Sequence, residues 1–146
     1  MKIGDGSVSS VSDERDKYDI KDIPLGLDFI NALKPKFYKY DIRELYEEYD
    51  KDGNLTKHAP DGSKAGKRYH SGFVAQDVYK AMNDFGVDFG VYRDQEIKAD
   101  EVHKEAAKDK LSLCYQEFIA IQAKAIQELS AKVDSLEEKI NKIEGE

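Results

Sequence analysis

The longest regular pattern of apolar positions lies at the C-terminal end of the chain, from Ile119 to Ile143. Apolar residues recur there at alternating spacings of three and four, without Pro or Gly, which is the heptad pattern of a coiled-coil helix. The opposite side is polar, with Lys124, Glu128 and Lys142. The stripe is therefore expected to pack against the same helix of other copies, and packing on the chain's own globular part is the alternative. The predicted seam residues are Ile119, Ile126, Val133 and Ile140 at position a, and Gln122, Leu129, Leu136 and Ile143 at position d.

Charges beside this seam indicate the direction of pairing. Lys132 precedes Glu137, and Lys139 precedes Glu144, by five residues. This spacing brings opposite charges together between parallel, in-register helices. Parallel pairing is therefore favoured, and the seam pattern leaves both two and three strands open.

Shorter apolar patterns precede this helix. Ile and Leu at spacings of three or four predict a helix over residues 24–33, which ends before Pro35, and Phe37, Tyr38 and Tyr40 predict a strand. Residues 43–68 are mostly charged and contain two Asp-Gly turns, so they are expected to form a surface excursion or a hairpin.

The remaining elements are also short. The pattern predicts a strand at residues 69–74, where Gly72 marks a bulge or a close approach, a helix at 77–83, a strand or hairpin at 85–92, and a brief strand at Leu111 and Leu113. Residues 95–110 are expected to be helical or loosely ordered. The long helix starts near Tyr115.

The predicted fold class is α+β, a small globular domain of short strands and helices followed by a long C-terminal coiled-coil helix. Residues 1–11 are small and polar and are predicted to be a linker or the end of an upstream region. Residues 12–113 are assigned to the globular domain, and residues 114–146 to the C-terminal helix.

Composition and charge reduce the number of function classes that the sequence allows. The net charge of -7 argues against nucleic acid as a partner, and the chain contains no apolar run that would indicate a membrane anchor. Cys114 is the single cysteine, and His58, His70 and His103 are too scattered to predict a metal site. The sequence predicts no cofactor and no metal.

Three motifs, in this order along the chain, carry a resemblance. Residues 12–40 contain Ser12, Asp13, Arg15, Lys17, Leu33, Pro35 and Tyr38; residues 70–78 read HSGFVAQDV; and residues 111–129 contain Lys-Ala-Ile-Gln-Glu. Together they closely resemble the endosialidase-type C-terminal intramolecular chaperone, the self-cleaving domain of phage tailspikes, tail fibres and neck appendages. The insert at residues 50–67 and the region 93–108 follow no pattern of that family that we can place.

The resemblance implies a role in assembly. Such domains hold three chains in register as a parallel homotrimer, assist folding of the upstream β-structured fibre of the same polypeptide, and then cut themselves off. The expected location is the host cytoplasm during phage assembly. A trimeriser that fixes the stagger of the chains would reduce the entropic cost of aligning them.

The resemblance also implies a cleavage site between Val11 and Ser12. Ser12 would be the nucleophile, and Lys17 the base that activates it. His70 would assist or bind the oxyanion, and Asp13 would act in catalysis or form an ion pair with Arg15. On a regular helix Ser12 and Lys17 would lie on different faces, so their contact requires a bend, an extended turn or a partner chain. Without the resemblance, Ser12 before acidic residues would be read as a helix cap.

Other functions fit the same sequence. The domain could be a non-cleaving trimerisation cap retained in a fibre, or a coiled-coil adaptor with an unrelated globular head. A relative of the myelin regulatory factor, a eukaryotic membrane protein with a similar self-cleaving trimer domain, is a third possibility.

Overall fold

The computed structural model describes residues 2–4, 7–9, 11–94 and 111–145. The expectation for residues 95–110 falls outside the described residues. Within them, the fold is α+β, with short strands, short helices and one long C-terminal helix, as the sequence predicts.

The long helix, α3 (Phe118–Glu144), anchors the hydrophobic core. A one-turn 3₁₀ segment, Tyr115–Glu117, leads into it. Its first turns bury Phe118, Ile121 and Ala125 and contact α1 (Leu27–Ala32), and Phe118 and Ile121 share a core cluster with residues of α2 (Ala75–Asp84). The core around them contains Leu25, Phe29, Leu33, Val78, Ala81, Met82 and Val91.

The described strands form four separate antiparallel pairs. The first is β1 (Lys2–Gly4) with β2 (Ser7–Ser9), in the region predicted to be a linker. The others are β3 (Lys36–Tyr38) with β6 (His70–Gly72), β4 (Glu47–Tyr49) with β5 (Leu55–Lys57), and β7 (Tyr92–Asp94) with β8 (Leu111–Leu113). The predicted short strands at 37–38, 70–72 and 111–113 are therefore present.

The predicted surface excursion is a hairpin preceded by the 3₁₀ turn Arg43–Tyr46. Asp50 closes its tip by accepting hydrogen bonds from the backbone N–H groups of Asp52 and Asn54, at 2.9 and 2.8 Å. At its base, buried Tyr46 donates to Asp41 (2.8 Å) and accepts from the backbone N–H of Lys64 (2.9 Å). These polar contacts hold an excursion that contributes one buried side chain.

Two predicted elements differ from the structure. The helix predicted from residue 24 begins at Leu27, because Gly26 has a non-helical backbone and precedes the first helical residue. The strand or hairpin predicted at residues 85–92 is a turn and loop up to Val91, and β7 starts only at Tyr92. Phe85 and Phe89 instead turn toward the core, where their rings pack edge-on against Phe29.

The polar side of the long helix also differs from the prediction. Glu128 is partly buried, and its carboxylate accepts a hydrogen bond from the backbone N–H of Leu27 at 2.8 Å. The first N–H groups of a helix lack intrahelical partners, so this carboxylate satisfies one of them and complements the helix dipole. Glu128 is therefore a contact between α3 and α1, rather than part of a solvated back.

Within the described residues, no helix is both long and apolar enough to cross a membrane.

The close approach of Gly26 to Glu128 makes a testable prediction. A methyl group added at Gly26 would overlap the Glu128 carboxylate, so Gly26→Ala must displace it and leave the Leu27 N–H without its acceptor. We expect a loss of about 1–3 kcal/mol in the free energy of unfolding, measured by urea denaturation at fixed protein concentration.

The control for this prediction is a double-mutant cycle. Once Glu128→Ala has removed the carboxylate, Gly26→Ala should cost little more, because the overlap no longer exists. Additive losses from the two substitutions would contradict the contact.

Candidate functional site

The first motif folds into a single 3₁₀ turn, Glu14–Asp16, flanked on both sides by extended backbone. Asp13, rather than Ser12, caps this turn, because its carboxylate accepts a hydrogen bond from the Arg15 backbone N–H at 2.9 Å. The turn is closed by backbone hydrogen bonds from Asp16 to Asp13 (3.2 Å) and from Lys17 to Glu14 (3.0 Å). The interpretation of Ser12 as a cap is therefore wrong, and its hydroxyl is left for another contact.

The turn brings Lys17 back onto Ser12. The Lys17 ammonium nitrogen lies 2.8 Å from Ser12 Oγ and donates a second hydrogen bond to the Ser12 carbonyl oxygen at 3.0 Å. A regular helix would separate residues five apart, whereas one 3₁₀ turn between extended segments folds the long lysine side chain backward. The contact forms within one chain, so the turn supplies the bend that the spacing requires.

Asp13 and Arg15 form an ion pair beside this contact. The Arg15 guanidinium donates from Nε to Asp13 Oδ1 (3.0 Å) and from a terminal nitrogen to Oδ2 (2.6 Å). The side-chain hydrogen bonds from Arg15, and then the bond from its backbone, lower the pKa of the Asp13 carboxyl, and the same pairing raises the pKa of Arg15. Because the Arg15 charge is paired, it is a weaker source of positive field at Lys17 than a lone guanidinium would be.

The segment that carries the turn is exposed to solvent. Val11 and Tyr18 are 83% and 98% exposed, and Ser12 and Lys17 are exposed as well. The 3₁₀ turn itself contains no buried residue. Packing among the residues that the structure describes therefore does not shield the Ser12–Lys17 contact from water.

His70 lies in β6, in a cluster of aromatic side chains. Its ring packs against Tyr40 at 4.8 Å and near Tyr38 at 6.2 Å. Among the described residues it makes no hydrogen bond to Ser12 or Lys17, and its ring contacts are to Tyr38 and Tyr40. Its predicted assisting role stays a prediction.

The same cluster contains contacts that the sequence analysis did not assign. Tyr115 accepts a hydrogen bond from the backbone N–H of Phe73 at 3.0 Å and lies where a Cβ at Gly72 would be, which accounts for the close approach predicted there. The hydroxyls of Tyr38 and Tyr40 are 3.3 Å apart, and this hydrogen bond, with burial, raises the pKa of Tyr38 to about 12. The glycine was a usable signal, but its partner lies 43 residues away along the chain.

No group of three or more His, Cys, Asp and Glu side chains in the described part of the chain is arranged to hold a metal ion.

Comparison with known families identifies the domain. A family classed among the peptidases and described as chaperone of endosialidase matches residues 12–87, just over half of the chain. The chain belongs to the chaperone of endosialidase family. The match begins at Ser12 and includes the turn, β3, β6 and α2, so the Ser12–Lys17 contact lies inside the region that defines this endosialidase chaperone family. No curated protein and no solved structure matches the chain.

The predicted seam of α3 faces solvent in the single chain. All of its apolar members are exposed, from 45% at Val133 to 74% at Ile143, and Gln122 is exposed too. The face that packs on the chain's own core is the adjacent one, formed by Phe118, Ile121 and Ala125. Packing of the seam on the globular part, the alternative considered from the sequence, is therefore not what the structure shows.

The ion pair makes a testable prediction for Asp13. Its carboxyl should titrate below the ordinary value of 3.8, and Arg15→Gln should move its pKa back toward that value, as measured by carbon-detected NMR during an acid titration. Because the folded pKa is the lower one, the pairing stabilises the turn above pH 3.8, and this stabilisation is lost as the pH falls through the folded value.

Lys21→Gln is the matched control for this titration, because Lys21 is an exposed lysine on the same segment and pairs with Asp19 rather than with Asp13. It should leave the Asp13 pKa lowered, and an equal rise in the Asp13 pKa in both variants would indicate a general charge effect.

Proposed function

We propose that this domain is an intramolecular chaperone for the upstream part of a phage tail fibre or tailspike, and that it assembles as a parallel homotrimer and then cuts the Val11–Ser12 bond. The observation that carries the proposal is the 2.8 Å contact between Lys17 Nζ and Ser12 Oγ, in a domain of the endosialidase chaperone family. A serine hydroxyl is a weak nucleophile near neutral pH, and an adjacent amine is one of the groups that can activate it.

The proposed cut proceeds through an ester. Ser12 Oγ attacks the carbonyl carbon of Val11, and the Oγ proton passes to the neutral amine of Lys17. The C–N bond to Ser12 breaks as the Lys17 ammonium returns a proton to that nitrogen, which leaves the Val11 acyl group on Ser12 Oγ. Water then hydrolyses the ester and yields the Val11 carboxylate and a chain that begins with Ser12.

Assembly would make this chemistry possible. Lysine acts as a base only as the neutral amine, and burial favours that form. In one copy the Ser12–Lys17 contact is open to water, and nearby Tyr18 and Ile20 are largely exposed. We propose that neighbouring copies cover this segment, so that cutting follows trimer formation rather than preceding it.

The exposed stripe on α3 supports self-association. Large contiguous apolar surfaces are uncommon on monomeric proteins, and this stripe has the heptad spacing that buries such residues between helices. Oppositely charged residues at the flanking positions, Lys132 with Glu137 and Lys139 with Glu144, favour parallel helices in register. Parallel tails would align the upstream segments of the copies at one end, as a folding clamp requires.

Substitution at the proposed dyad tests the cut. When the chain carries an N-terminal reporter protein, we expect release of the reporter and a new N-terminus at Ser12, seen by intact mass. Ser12→Ala should abolish release because the nucleophile is gone, and Lys17→Ala should slow it by about 100-fold or more.

Lys21→Ala is the matched control, because Lys21 is an exposed lysine on the same segment and pairs with Asp19 rather than with Ser12. It should leave the rate unchanged. An intact wild-type fusion in fully assembled protein, or normal cutting by Ser12→Ala, would refute the peptidase part of the proposal.

A charge placed in the seam tests the trimer. Val133→Asp would bury an unpaired carboxylate between helices, and we expect it to weaken association by about 100-fold or more, with loss of the trimer in analytical ultracentrifugation. Cutting should be lost with it.

Ala131→Asp introduces the same charge two residues away, at an exposed position outside the seam, and should preserve the trimer. If wild-type protein sediments as a monomer at high concentration, or both variants behave alike, self-association through this stripe is wrong.

A further inference from the structure

We infer that Asp13 and Arg15 are positioning residues for the cut, because together they hold the turn that places Lys17 against Ser12. This inference rests on the proposed function for its meaning. It assigns neither residue a part in bond breaking, since the Asp13 carboxylate contacts Arg15 and no hydrogen bond joins it to Ser12 or Lys17.

The turn needs support from outside its backbone. A 3₁₀ segment of one turn is marginal by itself, because few hydrogen bonds offset the cost of fixing its residues. Tertiary packing does not hold this one, since Glu14–Asp16 contains no buried residue. Two backbone hydrogen bonds remain, of which one is long at 3.2 Å.

Asp13 supplies the missing support through three hydrogen bonds. It accepts from the Arg15 backbone N–H (2.9 Å), from Arg15 Nε (3.0 Å) and from a terminal guanidinium nitrogen (2.6 Å). The carboxylate therefore fastens both the backbone and the side chain of Arg15 from two residues upstream. The Asp13 side chain is the more buried of the two, at 39% exposed compared with 88% for the Arg15 side chain.

The consequence falls on Lys17. Lys17 is the residue at which the turn ends and extended backbone resumes, and its N–H makes the last hydrogen bond of the turn. If the turn opens, Ser12 and Lys17 stand five residues apart on an extended chain, with no element to bring their side chains together. Loss of Asp13 or Arg15 therefore removes the geometry of the dyad while leaving both of its members in place.

The first test measures the contact without any reaction. In the intact chain, an NOE between the Lys17 ε-protons and the Ser12 β-protons should be present and should weaken in Asp13→Ala. Asp22→Ala, which removes another exposed acidic side chain of the same segment, should not change it. A full-strength NOE in Asp13→Ala would overturn the inference, whether or not the chain cuts itself.

The second test measures cutting in assembled reporter fusions. Asp13→Ala and Arg15→Ala should each slow release by about five- to tenfold, which is the size expected for loss of a capping interaction, while Lys21→Ala does not. Arg15→Lys should recover part of the rate, because a lysine retains the charge but not the two-pronged geometry. Normal rates in both alanine variants would overturn the inference and leave the dyad standing.

The third test separates positioning from direct catalysis. Ethylamine added to Lys17→Ala should restore part of the cutting, because a free amine reaches Ser12 without the turn. Adding Asp13→Ala to the Lys17→Ala variant should leave the ethylamine-dependent cutting rate unchanged. If ethylamine does not restore cutting, the residual cutting rate of Lys17→Ala should be unchanged instead. A further fall of about fivefold would mean that Asp13 acts on the reacting groups themselves and would overturn the positioning role. Cutting that survives Ser12→Ala would instead defeat the proposed function.

Discussion

The packing of the first turns of α3 against the globular domain is the constraint on which the rest of the structure depends. Phe118, Ile121 and Ala125 fill the core beside α1 and α2, and Glu128 joins the next turn to the start of α1. A helix face that is buried in the chain's own core cannot also pack against the helix of another copy. The heptad stripe is therefore presented on the adjacent face, where it stays exposed in the single chain.

This division gives the long helix two distinct faces, one packed on the chain's own core and one exposed to solvent. One face is fixed by the chain's own core, so the direction of the stripe relative to the globular domain is also fixed. If helices associated through such stripes, their globular domains would take fixed orientations around the axis of the helix bundle. In the proposed trimer, this rigid connection would allow the coiled coil to control how the exposed N-terminal segments meet.

The N-terminal segment has the opposite character. Its turn is held by polar contacts without a buried residue, and its apolar residues Val11, Tyr18 and Ile20 are largely exposed in the part of the chain that the structure describes. Structure of this kind is weakly stabilised and responds to its surroundings. The proposed cleavage site lies on this segment, where it would stay inactive in a free copy and respond to assembly, whereas a site in the core would be formed as soon as the domain folds.

The sequence by itself determined the long helix and its heptad stripe, the short strands at residues 37, 71 and 112, the α2 helix, and the first motif that marks the family. These features are local, because helical and strand periodicities depend on neighbouring residues. Only the tertiary structure decided that Glu128 contacts the start of α1, that Phe85 and Phe89 pack on Phe29 instead of forming a strand, and that Gly72 makes room for Tyr115. The Ser12–Lys17 contact lies between these cases. The two residues are near in sequence, but their contact depends on a 3₁₀ turn capped by Asp13, a role that the sequence did not assign to Asp13. Contacts between distant segments depend on which surfaces the fold brings together, and the local pattern of residues does not predict those contacts.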